Sequence, residues 1–318
     1  MKFRNREMEM SRLQGLRVTV CAIFLTIFGL AGISHAAAAA QQKTFASAQE
    51  AVKALVAAAK NADSKELMAL FGVGSKELIF SADAVADKQR HERFVKAYEE
   101  KNRLVQQGND MILVIGKEDW PFPIPVMKKG DSWVFDLDRG REEILNRRIG
   151  QNELDVIQVA LAYVDAQREY AMKVRGKEGL LEYAQKFRSD AGKKNGLYWD
   201  AKAGEEQSPL GAFAARARSE GYRAGDKPIP YHGYYYKILT AQGKDASGGA
   251  YSYIVKGKMI GGFALVAYPA EYRNSGVMSF IVNHDGKVFQ KDLGKNTASA
   301  AKGITVYNPD STWTEVKK

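Results

Sequence analysis

Residues 277–293 read VMSFIVNHDGKVFQKDL, and this stretch decides the fold of the second half of the chain. Two runs typical of β-strands, 277–283 and 288–293, flank the pair Asp285-Gly286. Both turn residues tolerate a positive φ, so the pattern predicts a β-hairpin. If the turn is of type I′, Asp285 and Gly286 both need a positive φ.

The sequence before this hairpin predicts the rest of the same sheet and a helix that covers it. Further strand-like runs lie at 234–239, 251–255 and 262–268. Upstream, residues 152–174 carry an apolar stripe with helical spacing, formed by Leu154, Ile157, Leu161 and Val164. We therefore expect a second α+β domain at 151–318, with one long helix packed on an antiparallel sheet.

The first half has a different pattern. Residues 45–98 predict three amphipathic helices, of which the second begins at Asp63, in a capping box with Glu66, and ends at Gly72. Short apolar runs follow at 111–115, 123–127 and 132–137. Helices followed by a small antiparallel sheet predict a first α+β domain at 37–150. The prolines of 121–125 remove backbone donors, so we expect that strand at a sheet edge.

The first forty residues have the three-part order of a secretory signal. A basic leader from Lys2 to Arg17 precedes the apolar run 18–33 and small residues up to Ala40. We expect a signal peptide at 1–36, cleavage within 36–40, and a periplasmic or secreted mature chain. The alternative is an uncleaved anchor, although the apolar run is shorter than the roughly 20 residues of a membrane span.

Charge and cysteine content narrow the class of protein. The chain has 47 Lys and Arg against 37 Asp and Glu, a formal net charge of +10. Its basic residues do not form the stripe, interleaved with aromatic side chains, that marks nucleic-acid binding, so no nucleic-acid partner is expected. Cys21, the single cysteine, lies in the predicted signal peptide, so we expect no disulfide in the mature chain.

One segment has the outline of a metal site. Asp136 and Asp138 alternate ahead of Gly140 and Glu142-Glu143, as in a calcium loop. The alternative is a strand that ends at Asp136 and a helix capped by Asp138 or Gly140, with acids in its first turn. No Gly-x-Ser-x-Gly, His-Glu-x-x-His, P-loop or dinucleotide motif occurs. We expect no catalytic motif, no cofactor and no metal apart from this calcium candidate.

His232 is the histidine that most resembles a site residue, because it precedes a glycine and a run of three tyrosines. His91 is expected at the edge of the core, and His284 is expected in solvent beside the turn. The aromatic residues near His232 form either a binding face for a peptide or glycan or part of the core. The candidate binding residues are Trp199, Tyr231, His232, Tyr235 and Tyr272.

Several segments resemble a family of exported bacterial proteins catalogued as domain of unknown function 2950. The segments that carry the resemblance are 120–125 (WPFPIP), 147–154 (RRIGQNEL), 196–199 (GLYW), 231–236 (YHGYYY), 262–272 (GFALVAYPAEY) and 275–283 (SGVMSFIVN). The resemblance implies an exported protein whose role is unsettled.

The second half is also similar to the globular part of type IV pilins and pseudopilins. The similar features are a helix that ends in Ala166, Gln167 and Tyr170 and a Gly-rich sheet that closes with an Asp-Gly hairpin. Pilins carry that helix at the mature N-terminus with an apolar half, whereas here it is internal and charged. The similarity therefore implies a soluble pilin-like domain. The first half is similar to nuclear transport factor 2-like or cystatin-like folds.

These patterns lead to one expected function and one alternative. We expect an exported, non-catalytic envelope protein that binds a protein or envelope polymer, as an accessory to secretion or pilus assembly. No membrane span is expected in its mature chain. The alternative is a periplasmic hydrolase with a cleft near His232, where a histidine, a tyrosine and a carboxylate would perform acid–base chemistry.

Overall fold

The computed structural model describes residues 42–175, 179–223 and 228–317. The predicted signal peptide at 1–36 and its cleavage region lie outside the described residues. The described chain combines helices with antiparallel sheets, which confirms the α+β class. In this part of the chain, no helix has both the length and the apolar character that crossing a membrane requires.

Four helices open the described chain. They are α1 (Ala48–Lys60), α2 (Ser64–Phe71), α3 (Lys76–Ile79) and α4 (Ala84–Glu100). Asp63 begins α2 by accepting hydrogen bonds from the backbone N–H groups of Lys65 and Glu66, at 3.1 and 3.0 Å. Gly72 ends α2 with a φ of +79°, which glycine adopts without strain. The predicted start at Asp63 and end at Gly72 are confirmed.

The first antiparallel sheet follows these helices. Its strands are β1 (Asn102–Gln107), β2 (Asp110–Ile115), β3 (Trp120–Pro121), β4 (Val126–Lys129) and β5 (Ser132–Phe135). They are ordered β1-β2-β4-β5, with β3 paired to β2. The predicted strand at 123–127 is wrong in its bounds, because the prolines cannot donate to a ladder and pairing resumes only at Val126. The apolar runs of the sequence do not predict β1, because the residues at both of its ends are polar and exposed.

A helix of 34 residues, α5 (Leu137–Tyr170), joins the first sheet to the second half. Its start at Leu137 corrects the predicted start at 152. The Asp136 carboxylate caps it by accepting from the backbone N–H of Arg139 at 3.4 Å. The predicted apolar stripe covers only the C-terminal half of the helix, whereas the whole helix packs against two different cores. Ile144 and Leu145 contact the first core, and Val156 and Tyr163 belong to the second.

The second half contains a five-stranded antiparallel sheet and two short helices. The remaining helices are α6 (Gly211–Ser219) and α7 (Thr297–Gly303). The remaining strands are β6 (Tyr234–Leu239), β7 (Ala241–Gln242), β8 (Tyr251–Ser252), β9 (Ile254–Val255), β10 (Lys258–Met259), β11 (Ala264–Pro269), β12 (Met278–Asn283), β13 (Val288–Asp292) and β14 (Thr314–Glu315). The large sheet has the order β14-β13-β12-β11-β6, while β7 pairs with β8 and β9 with β10. Helix α5 contacts this sheet through Tyr163, whose hydroxyl donates to the Ala264 carbonyl at 3.1 Å.

The predicted hairpin is confirmed, but a type I′ turn is wrong. Strands β12 and β13 pair with Val282 opposite Val288, so five residues separate the paired strands. Gly286 has a φ of +78°, whereas Asp285 is not among the residues with a positive φ. The side chain of Asn283 accepts from the backbone N–H of Asp285 at 3.1 Å, and its carbonyl accepts from Gly286 at 2.9 Å. One left-handed residue is therefore sufficient for this longer turn.

The described residues form two separate hydrophobic cores. The first core lies between helices α1 to α4 and the first sheet and includes Leu70, Leu113 and Phe135. The second lies between α5 and the large sheet and includes Tyr234 and Phe263. Because α5 runs through residue 150, the predicted boundary between 37–150 and 151–318 falls inside a helix. The division into two domains at that residue stays a prediction.

Candidate functional site

A cleft of about 1080 Å³, hereafter the central cleft, opens between the first core and the start of the second half. Its interior is apolar and is lined by side chains of the first core, among them Leu55, Phe71, Phe94, Ile115, Phe122 and Ile124. Its polar wall comes from α4, α5 and the segments around α6 and β6, and it includes His91, Arg148, Asp155, Arg216, Glu220 and His232. The cleft therefore combines an apolar interior with several ionisable groups on one side.

His232 lies on the polar wall between two carboxylates. Its Nδ1 is 3.4 Å from an oxygen of Asp155 on α5, and its Nε2 is 3.9 Å from an oxygen of Glu220. The His232 side chain is 16% exposed. Arg216 reaches the same Glu220 carboxylate through its Nε at 2.9 Å. Residues from α5, from the helix α6 region and from the segment before β6 thus meet around one imidazole.

The backbone at His232 is held in an unusual conformation. His232 has a φ of +50°, a region that few non-glycine residues adopt. Its backbone N–H donates to the Tyr222 hydroxyl at 3.3 Å, and the N–H of Gly233 donates to the Asp83 carboxylate at 2.9 Å. A Cβ at Gly233 would lie 2.7 Å from the Asn152 amide nitrogen, so only glycine fits there. These hydrogen bonds fix the backbone of the His232 segment, and the imidazole lies beside Asp155 of α5.

Two tyrosines beside His232 donate hydrogen bonds to carboxylates. The Tyr231 ring lies 4.1 Å from the His232 ring, and its hydroxyl donates to Glu220 at 3.2 Å. The Tyr222 hydroxyl donates to Asp83 at 2.8 Å. Burial and then Glu220 raise the pKa of Tyr231, and burial and then Asp83 raise the pKa of Tyr222. Both phenols therefore stay protonated and act as hydrogen-bond donors.

The part of the polar wall formed by α4 and α5 is cationic. Arg148 donates to the Glu77 carbonyl at 2.7 Å, to the Leu78 carbonyl and to the Asn274 side chain. Burial lowers the pKa of Arg148 to about 10. Burial, followed by Arg90 and Arg148, also lowers the pKa of His91. Besides burial, the lowered pKa of His91 reflects the positive potential of the two guanidinium groups beside it.

The structure brings two of the five predicted binding residues to the central cleft. His232 lines it, and Tyr231 packs on His232. Trp199 is 8% exposed in the second core, where its Nε1 donates to the Glu206 carbonyl at 3.0 Å. Tyr235 packs beside Tyr268 on the large sheet, with ring centroids 5.8 Å apart.

The fifth predicted binding residue, Tyr272, also lies away from the cleft, where its hydroxyl donates to Asp292 at 3.0 Å.

The calcium candidate has a simpler structural role. Asp136 is the N-cap of α5, and Asp138 lies exposed in the first turn of that helix. Among the residues that the structure describes, no group of three or more His, Cys, Asp or Glu side chains is arranged to hold a metal ion. The alternative of a strand followed by a capped helix is therefore right in its order, but the cap is Asp136 and not Asp138 or Gly140.

His284 corrects one expectation. It was expected in solvent, but its side chain is 29% exposed and packs against two rings of the second core. The ring centroids of Tyr253 and Phe263 lie 5.7 and 6.1 Å from that of His284. The hairpin loop is longer than a two-residue turn, so its first residues can fold back onto the core.

Sequence reasoning missed most of the cleft. Arg148, Asn152 and Asp155 follow one another at helical spacing on α5, and that polar row was the available signal. The sequence pattern predicts a solvated face for Asp155, and the predicted helix begins only at residue 152, so Arg148 falls outside it. Glu220 and Asp83 gave no signal, since both reach the site through packing between distant segments.

Comparison with curated proteins and with solved structures gave no match. A family model described as "Protein of unknown function (DUF2950)" matches residues 42–316, nearly the whole described chain. The chain therefore belongs to the DUF2950 family.

Proposed function

We propose that this protein is an exported, non-catalytic binding protein of the cell envelope and that its ligand occupies the central cleft. The observation that carries the proposal is the cleft itself, about 1080 Å³ with an apolar interior and one polar wall. Ligand sites are typically clefts of about 300–1,000 Å³ that combine apolar lining with a few polar groups. The central cleft has this composition and is slightly larger.

The hydrogen bonding on the polar wall supports binding. Asp83 accepts from Tyr222 and Gly233, and Glu220 accepts from Tyr231 and Arg216. These bonds fix the wall before any ligand arrives, which lowers the entropy lost on binding. A pre-formed wall of this kind serves recognition without requiring a chemical step.

The test is a titration with the neutral, apolar fluorescent probe N-phenyl-1-naphthylamine. We expect saturable binding to the wild type and weaker binding to Ala97→Phe, because Ala97 lines the cleft and a phenyl ring there would occupy part of its apolar interior. Ala300→Phe, on an exposed position of α7, is the matched control and should bind as the wild type does. Unchanged binding in a folded Ala97→Phe would contradict the proposal.

A second candidate function is a hydrolase centred on His232. The distance of 3.4 Å between His232 Nδ1 and Asp155 favours it, because a carboxylate that orients an imidazole is a common part of acid–base sites. His232→Ala should abolish the turnover of an enzyme, whereas in a binding protein it should change only the affinity for the ligand of the cleft. Asp155→Asn is the companion variant, since it removes the negative charge beside the imidazole and retains the shape of the side chain.

Export is a separate part of the proposal. The basic leader, the apolar run 18–33 and the small residues that follow support a signal peptide at 1–36 and a periplasmic or secreted location. Mass spectrometry of the protein purified from its native source tests it. A mature N-terminus within 37–41 is expected, and a chain that begins at Met1 or Lys2 would contradict it.

The finer architecture is proposed on sequence similarity. The second half is a pilin-like domain that binds a protein or envelope polymer, and the packing of α5 on an antiparallel sheet supports it. The first half is nuclear transport factor 2-like or cystatin-like, supported by its helices and antiparallel sheet. Cross-linking in intact cells tests the accessory role. Secretion or pilus components are the expected partners, and their absence among the cross-linked proteins would contradict it.

A further inference from the structure

The lining of the central cleft has an excess of positive charge. Its cationic side chains are Arg90, Arg93, Lys117, Arg147, Arg148 and Arg216. Its carboxylates are Glu100, Glu118, Asp155 and Glu220. Several of these groups are already paired: Asp155 with His232, Glu220 with Arg216, Arg90 with Asp87 and Arg147 with Glu143. Arg93, Lys117 and Arg148 then stand against Glu100 and Glu118. The remaining imbalance favours an anion in the cleft.

Arg148 is the strongest single indication of an anionic ligand. It is 4% exposed and lines the cleft, yet its hydrogen-bond acceptors are two carbonyls and an amide oxygen. The charge of Glu271 raises the pKa of Arg148, but Glu271 does not contact Arg148 as a salt bridge. Asn274, which accepts from Arg148, donates to the Glu271 carboxylate. In the described part of the chain, the buried Nε of Arg148 has no hydrogen-bond partner. A buried charge without a contacting counter-charge is costly, and a bound anion would offset that cost.

The neighbours of Arg148 add further positive charge to the cleft. Burial, followed by the charges of Arg148 and Arg93, lowers the pKa of Arg90 to about 9. Arg90 pairs with the Asp87 carboxylate, so one of these charges is neutralised within the protein. Arg148 and the exposed Arg93 remain available to a ligand, and both line the cleft.

The interior requires an apolar body on the same ligand. Phe94 and Phe122 pack with ring centroids 5.4 Å apart, and Trp120 lies 6.4 Å from Phe122. The Arg147 guanidinium lies 4.7 Å from the Trp120 ring, at the transition between aromatic and charged lining. A purely ionic ligand would leave this apolar surface in contact with water.

We propose that the ligand of the central cleft is a single-chain anionic amphiphile, with its carboxylate or phosphate head at Arg148 and Arg93 and its apolar chain in the interior beside Phe94 and Phe122. This inference rests on the proposed binding function and adds the chemical class of the ligand. Carboxylate and phosphate share the same oxyanion chemistry, and the two heads are separated by experiment.

The experiment measures displacement of bound N-phenyl-1-naphthylamine from the wild type by dodecyl amphiphiles, each below its critical micelle concentration. Dodecanoate and dodecyl phosphate should displace the probe at concentrations at least about tenfold lower than dodecyltrimethylammonium or dodecyl maltoside do. Whichever anion acts at the lower concentration identifies the preferred head. Acetate and inorganic phosphate should not displace the probe, because they lack the apolar chain.

The outcomes separate this inference from the proposed binding function. Equal displacement by all four amphiphiles would overturn the anionic head while the cleft remained a binding site. Failure of every amphiphile to displace a probe that does bind would overturn the inference as a whole. Failure of the probe itself to bind would overturn the proposed function.

A pair of variants tests whether the cleft cations cause the preference. Arg93→Gln removes an exposed cation that lines the cleft, and Arg188→Gln removes an exposed cation elsewhere. We expect the preference for anions over dodecyl maltoside to fall in Arg93→Gln and to persist in Arg188→Gln. Equal effects of the two substitutions would assign the preference to general surface charge and overturn the inference.

Discussion

Asp83 is the side chain that ties the His232 segment to the first half of the chain. It is 2% exposed and caps α4 by accepting from the backbone N–H of Ala86 at 3.0 Å. It also accepts from Tyr222 at 2.8 Å and from Gly233 at 2.9 Å. The Asp83 carboxylate thus accepts from three donors. One donor is local, and the other two lie 139 and 150 residues away in sequence.

Replacing Asp83 should destabilise the protein far more than replacing an ordinary helix cap. We expect Asp83→Ala to lower the free energy of unfolding by about 2–4 kcal/mol, because a buried donor left without an acceptor costs about 1–3 kcal/mol. Asp63→Ala removes an exposed cap of α2 and should cost about 1 kcal/mol. Urea unfolding of both variants measures the difference. Equal losses would mean that the bonds to Tyr222 and Gly233 contribute nothing.

His91 predicts a dependence of stability on pH. Burial, Arg90 and Arg148 lower its pKa below the ordinary 6.5, so the folded state binds this proton more weakly than the unfolded chain does. The free energy of unfolding should therefore fall as the pH drops below about 6.5. In His91→Gln this part of the decline should be absent. Urea unfolding at several pH values between about 7 and 5 tests it, and parallel curves for wild type and variant would contradict it.

At the residue level, the sequence predicted His232 but not its partners. The run of tyrosines after His232 marked it, and the structure places it in the central cleft. Asp155 lies outside the apolar stripe of α5, on the polar side of the helix. Its sequence pattern is therefore that of a solvated residue. Its pairing with His232 depends on how the segment before β6 packs on α5, which no local pattern encodes.

Helix α5 determines the arrangement of elements, because it is shared by both cores. It is tied to the loop before β12 by Glu153, which accepts from the backbone N–H groups of Val277 and Met278 at 2.9 Å each. Asn152 donates to the Ser275 carbonyl at 2.8 Å. The late predicted start of α5 has a physical reason, because the buried positions between the two cores are the polar residues Arg148 and Asn152, which an apolar pattern does not include.

Two glycines of α5 should respond oppositely to the same substitution. A Cβ at Gly140 would lie 2.8 Å from the Ile124 Cα and 2.8 Å from the Pro123 carbonyl, whereas nothing lies within 4 Å of one at Gly150. We expect Gly140→Ala to cost about 1–3 kcal/mol through overpacking and Gly150→Ala to stabilise by about 0.5–1 kcal/mol through helix propensity. Thermal unfolding distinguishes them. Stabilisation by both would mean that α5 does not contact the Pro123 segment.

The hairpin between β12 and β13 was the clearest element in the sequence, and its turn gives a further prediction. Gly286 has a φ of +78°, which a β-branched residue resists. Gly286→Val should cost about 1–3 kcal/mol, the range for a strained backbone. It should loosen the pairing of β12 with β13 while leaving the first sheet intact, which amide hydrogen exchange measures. Unchanged protection of β12 and β13 would show that the turn tolerates the substitution.

For the whole molecule, the change from helices and short apolar runs to strands and turns correctly predicted an α+β chain with separate sheets in its two halves. The central cleft was not predictable in the same way. Its lining comes from residues between Leu55 and His232, and it exists only where the first core meets the segments around α6 and β6. A cavity of this kind depends on how elements pack, and sequence patterns report mainly which elements form.

The most direct test of the account is native mass spectrometry of the mature protein isolated from its own cell envelope. If the central cleft is a binding site, the wild type should carry the added mass of a small molecule that denaturation releases. Ala97→Phe, in which a phenyl ring occupies part of the cleft, should carry this added mass on a smaller fraction of its molecules, and Ala300→Phe should match the wild type. A wild type without added mass, indistinguishable in this respect from Ala97→Phe, would contradict the account.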